Sequence, residues 1–133
     1  MQLKQIFIAG LLAVITLASC SKKNDVIKPV VPIEGKWIGK SSVLSDPYNS
    51  FYSFNIKPGG VLERLDADGA VTGNGQWAFY NGDVGITATY TLTGGATFSI
   101  IGTFDKINGK LDGTWGNGTK EYGGGYWYMN KTN

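Results

Sequence analysis

The chain has no histidine, one cysteine and four prolines among its 133 residues. Without histidine, the commonest general base and metal ligand is missing. The single thiol, Cys20, excludes an intrachain disulfide. Charge of either sign is sparse in the body of the chain. From Glu34 onward there are 8 basic and 9 acidic residues, a net charge of −1. That balance leaves no basic footprint for a nucleic-acid partner. No apolar run reaches the roughly 20 residues of a membrane-spanning helix, and no 3.6-residue apolar period persists beyond the first twenty positions. The acids Asp46, Asp66, Asp68, Asp83 and Asp105 are scattered among turn signals, and Glu63 and Asp112 read as surface charges. Asp66-Ala67-Asp68-Gly69 echoes part of a calcium loop, but Ala70 stands where an oxygen ligand belongs. No catalytic residue, metal or cofactor is expected, and the chain does not read as an enzyme.

What is plentiful is glycine, 20 residues, about twice the usual share. Aromatics make up 13%. Glycine with threonine and aromatics points to strands joined by tight turns. All four tryptophans stand in one pattern, Gly-x-Trp: Gly35-Lys36-Trp37, Gly75-Gln76-Trp77, Gly113-Thr114-Trp115 and Gly125-Tyr126-Trp127. Residues i and i+2 share one face of a strand. Each unit therefore sets a missing side chain beside the largest one, as small barrel interiors do. By this rule Trp127 faces inward and Tyr126 and Tyr128 outward, although the two tyrosines make an equally good apolar stripe.

The first twenty residues read as an address. Lys4 gives a positive start, residues 6–17 are an apolar core, and Leu17-Ala18-Ser19-Cys20 follows. That ending resembles a bacterial lipobox. The resemblance implies a signal peptide at residues 1–19 and a diacylglycerol on the Cys20 thiol. The mature chain would then be anchored to a membrane without spanning it. Ser21 follows the cysteine where an aspartate would resemble an inner-membrane retention signal, so the cell envelope, and the outer membrane within it, is the expected location. Residues 20–33 hold the lipidated cysteine and a tether with Pro29 and Pro32, reaching at most roughly 45 Å.

Residues 34–133 read as one all-β domain of eight short strands. They are expected at residues 36–44, 50–57, 61–66, 75–80, 83–92, 96–104, 110–115 and 120–130, with 71–73 undecided. Asn81-Gly82 is the strongest hairpin signal. In residues 86–93, Ile86, Ala88, Tyr90 and Leu92 alternate with threonines, as on a strand wet on one side. Short connections predict an antiparallel up-and-down meander, and closure into a barrel removes its two exposed edges. A two-sheet sandwich is the alternative, though it usually needs a longer crossing connection.

A Gly-x-Trp in the first strand of such a meander resembles the lipocalin-like (calycin) superfamily, in which that tryptophan closes the base of the barrel. Together with the leader, the chain is similar to the lipocalin-like lipoproteins of Bacteroidetes. Repeated Gly-x-Trp also resembles the compact avidin-like barrels, with no residue-by-residue match to their ligand contacts. The resemblance implies a binding barrel whose pocket would be lined by Trp37, Tyr52, Phe54, Trp77, Phe79, Tyr90, Phe98 and Trp115. It would accept a small apolar or ring-containing ligand, with Ser41, Ser53 and Asn55 as polar contacts. Two alternatives stay open. The aromatics could simply fill the barrel as core. Or the protein could be an envelope interaction module presenting Tyr48, Tyr80, Tyr122, Tyr126 and Tyr128.

Overall fold

The structure, a computed structural model, describes residues 29–133. The expected leader at residues 1–19, Cys20 and most of the tether lie outside the described residues. Eight strands follow in chain order: β1 Gly35–Ser41, β2 Ser50–Lys57, β3 Val61–Leu65, β4 Val71–Tyr80, β5 Gly85–Leu92, β6 Thr97–Asp105, β7 Lys110–Asn117 and β8 Gly125–Lys131. Each pairs antiparallel with its neighbours in sequence, and β1 pairs with β8, so the sheet closes. The result is an all-β, up-and-down barrel of eight strands, the architecture shared by lipocalins and avidins. The sandwich alternative is excluded.

The departures from the expected strands have local causes. β1 stops at Ser41 rather than at 44, and Leu44 takes a positive φ of 52°. β4 absorbs residues 71–73, because β3 and β4 stay paired through a bulge at Arg64/Leu65. Asn81 and Gly82 have the positive φ of a primed turn, yet Tyr80 pairs with Gly85, so the connection holds four residues rather than two. β8 begins only at Gly125, after a turn in which Gly123 has φ 93°.

One face of every strand looks inward. Trp37 pairs with Phe54, Phe54 with Arg64, Leu62 with Gly75, Gly75 with Tyr90, Tyr90 with Phe98, and Ile100 with Trp115. The outer face is largely polar and carries its own ladder: Thr89 and Ser99 share a hydrogen bond of 2.7 Å, and Thr91 and Thr97 one of 2.9 Å. Apolar inside and polar outside is the reverse of a barrel whose wall faces lipid. Trp127 is fully buried and Tyr126 is exposed, which resolves the facing of β8.

Burying an indole requires a partner for its N–H. All four tryptophans find one on the backbone: Trp37 donates to Ile33 O at 2.8 Å, Trp77 to Lys57 O at 2.8 Å, Trp115 to Ser42 O at 2.8 Å and Trp127 to Thr114 O at 2.9 Å. The space for the rings comes from across the sheet as well as along the strand. Gly102 and Gly113 pair directly, and a Cβ on Gly102 would stand 2.7 Å from Trp127 Cζ2. The indole of β8 thus occupies space left by a glycine two strands away.

The base of the barrel is shut. Ile33, only 3% exposed, packs into the core beneath Trp37, and the Val31 amide donates to Lys106 O at 2.8 Å. The expected tether therefore ends sooner than residue 33, since its last residues belong to the domain. Lys131 completes the closure. Its ammonium lies 5.5 Å from the Trp37 ring centroid and donates to Pro32 O at 2.6 Å and Glu34 O at 2.5 Å. Burial lowers the Lys131 pKa, with Glu34 opposing.

Candidate functional site

At the end away from Ile33, the barrel is not filled. A cavity of about 190 Å³ is lined by Tyr52, Arg64, Tyr90, Leu92, Phe98 and Trp115, with Ser41, Ser50 and Phe51 at its rim. Strand alternation brings all of these side chains but Phe51 inward, and their distance from the base sets them at the mouth. Tyr52 on β2 and Tyr90 on β5 meet across the barrel, their hydroxyls 2.8 Å apart. Phe54 lies fully buried against both rings, at 5.0 Å from Tyr52 and 5.4 Å from Tyr90 between centroids. The tyrosine pair is thus the floor of the cavity and the ceiling of the core. Phe98, packed beside Tyr90 at 5.8 Å, and Trp115 continue the wall, their own centroids 5.8 Å apart and their rings edge-to-face.

Of the eight aromatics expected to line a pocket, the structure brings four to this cavity: Tyr52, Tyr90, Phe98 and Trp115. Trp37 and Phe54 lie in the closed core with no exposed surface. Trp77 and Phe79 stack edge-to-face at 5.1 Å near the base, where Phe79 also stacks on Phe104. Among the expected polar contacts, Ser41 reaches the rim. Ser53 instead donates to Trp37 O at 2.7 Å, and Asn55 donates to Glu63 at 3.0 Å, both from the outward face of β2. Sequence reasoning missed Arg64. Its signal is the two-residue step from inward-facing Leu62 on the same strand.

Burial pushes the Tyr52 phenol well above its ordinary range, reinforced by the neighbouring Tyr90. Burial also raises Tyr90, against the pull of the Tyr52 hydrogen bond and the Arg64 charge. Both hydroxyls are therefore protonated at neutral pH. One O–H of the pair is spent between them, which leaves the other to donate. A phenol with a raised folded pKa stabilises the fold below its unfolded value near 10, and that contribution is lost as pH rises further. Unfolding free energy from urea midpoints should fall above about pH 10 more steeply in the wild type than in Tyr52→Phe. The expected difference is up to about 1.4 kcal/mol per pH unit. Parallel profiles would contradict a buried, protonated Tyr52.

Other candidate features are spent locally. Asp66 accepts from the amides of Asp68 and Ala70, both at 2.9 Å, so the calcium-like turn is closed by its own carboxylate. Among the described residues no three histidine, cysteine, aspartate or glutamate side chains converge as metal ligands would. On the outer wall, Leu44, Ser45, Thr114, Tyr122 and Tyr126 border a groove of about 390 Å³. Tyr48 packs edge-to-face on Tyr128 nearby at 5.0 Å.

Compared with protein-family models, with curated proteins and with solved structures, the chain finds no match.

Proposed function

We propose that this protein is a lipid-anchored, lipocalin-like lipoprotein of the bacterial cell envelope whose barrel holds a small apolar or ring-containing molecule. The observation that carries the binding half is the open cavity above the Tyr52–Tyr90 floor. Its size limits the occupant. An apolar cavity of about 150 Å³ takes benzene, and drug-sized ligands need about 300 Å³ or more. About 190 Å³ suits one ring with a short substituent and is too small for an acyl chain or a tetrapyrrole. Apolar walls with a few polar atoms match the usual make-up of a small-molecule site. Native mass spectrometry of the full chain purified from its own host tests this reading. A small molecule lost on unfolding is expected; bare protein, with no thermal shift across a panel of ring compounds, would oppose it.

The anchoring half rests on the leader and Cys20. The chain enters the barrel at the closed base, beside Ile33, so a membrane-held tether would leave the cavity pointing outward. Cys20→Ser should move the protein into the soluble fraction after cell lysis. Continued retention in the membrane pellet would sink the lipoprotein reading.

A second reading has its own observation. The groove beside Tyr122, which is 68% exposed, and Tyr126, at 53%, gives an aromatic face on the outer wall. It favours an envelope interaction protein, for which the interior cavity would be incidental.

A further inference from the structure

Resting on the ligand-cavity reading, we propose that the site selects anions: ring compounds bearing a carboxylate, with Arg64 as the counter-charge and the Tyr52–Tyr90 hydroxyl pair as a second donor. Arg64 is the only arginine among the chain's twelve cationic residues, and it lines the cavity, half-buried at the mouth. Its guanidinium carbon lies 4.7 Å from the Tyr52 ring centroid. The ion pairs among the described residues are Lys57–Glu63 and Lys106–Asp83, and neither involves it. No acidic side chain lines the cavity. A cation therefore stands at an otherwise apolar pocket with no carboxylate of the protein's own.

Its present contacts are neutral. Nη1 donates to Leu65 O and, at 3.4 Å, to Ser53 O, and Nη2 donates to Phe51 O at 3.2 Å. The Phe51 and Ser53 carbonyls belong to the stretch of β2 beyond its pairing with β3, which begins only at Phe54, whereas Leu65 ends β3 itself. The arginine thus ties the end of β3 to the unpaired stretch of β2 at the rim of the cavity. A guanidinium has five N–H donors in a planar fork. Three are engaged by these carbonyls, and the head group also reaches the Tyr90 hydroxyl, which sets the rest of the fork beside the tyrosine pair. Such a fork matches a carboxylate in a way that a lysine ammonium does not. The bridging role holds the head group in place, and the remaining donors supply the recognition.

The test uses two ring compounds of nearly equal shape, phenylacetate and phenylacetamide, titrated into the full chain at pH 7 by calorimetry. A hydrogen bond to a charged group contributes about 1.5–3 kcal/mol, so wild type should prefer phenylacetate by roughly ten- to hundredfold. Arg64→Gln should lose that preference, the ratio of the two affinities falling toward one, and Arg64→Lys should restore only part of it. The wild-type ratio needs no variant, so a destabilised Arg64→Gln leaves the test intact. Equal wild-type affinities would overturn anion selection and leave the ring-binding cavity standing. Binding of neither compound would overturn both.

Discussion

Trp37→Ala is expected to destabilise the fold more than any other single truncation. Trp37 has no exposed surface, stands edge-on to Phe104 at 6.0 Å and donates its indole N–H to Ile33 O. Truncating a buried tryptophan costs about 3–5 kcal/mol through lost transfer energy and the cavity left behind. Here the cost goes further, because the Ile33 carbonyl loses its donor and Lys131 loses the ring beneath its ammonium. For a domain of about 100 residues, each kcal/mol moves Tm by about 4–8 °C, so a drop of roughly 12–40 °C is expected. Trp37→Phe keeps the packing in part and removes only the N–H, so it should fall well short of that loss. Equal melting of Trp37→Ala and wild type would contradict the tryptophan's role at the base.

Gly113→Val is the second. A Cβ at position 113 would lie inside contact distance of the Ile101 carbonyl oxygen and about 2.5 Å from Gly102 Cα. The obstruction is the backbone of β6, which cannot swing aside as a side chain can. The crowding expected from the Gly-x-Trp spacing was with Trp115 on the same strand; in the structure it falls on the neighbouring strand instead. Over-packing usually costs about 1–3 kcal/mol and occasionally more, and a backbone clash belongs at the upper end. Gly94, in the turn before β6, supplies the control, since a Cβ there would meet nothing within 4 Å. Thermal melts of the two valine variants should differ widely. If Gly94→Val and Gly113→Val cost the same, close approach of β6 and β7 is not what the glycine serves.

The fold was legible in the sequence because its signals are local. The alternation of residues 86–92 settles which face of β5 is wet, and the Pro58-Gly59-Gly60 turn fixes both ends of its hairpin. β2 falls on the expected residues 50–57. The site was legible only in part, for a physical reason. A period of two tells whether a side chain faces in or out, but not how far along the barrel axis it sits. Phe54 and Tyr52 share a face two residues apart, yet one is core and the other floors the cavity. That boundary exists because Tyr52 and Tyr90, 38 positions apart, meet hydroxyl to hydroxyl. Their meeting depends on the stagger of strands around the closed sheet, which no short window encodes. The question of filled core or open pocket accordingly has a divided answer. The base is filled by Trp37, Phe54, Leu111 and Met129, and the mouth is open. Arg64 escaped notice because a charged residue in a strand is ordinarily read as solvent-facing; its step from Leu62 was the contrary sign.

Heteronuclear NMR of the isotope-labelled full chain, titrated with a set of single-ring compounds, tests the central claim most directly. The account predicts that at least one compound shifts resonances of Tyr52, Tyr90, Phe98 and Trp115, including the Trp115 indole N–H. The Trp37 indole at the closed base should stay unchanged. Shifts confined instead to Tyr122 and Tyr126 on the outer wall, or none across the set, would contradict a ligand cavity inside the barrel.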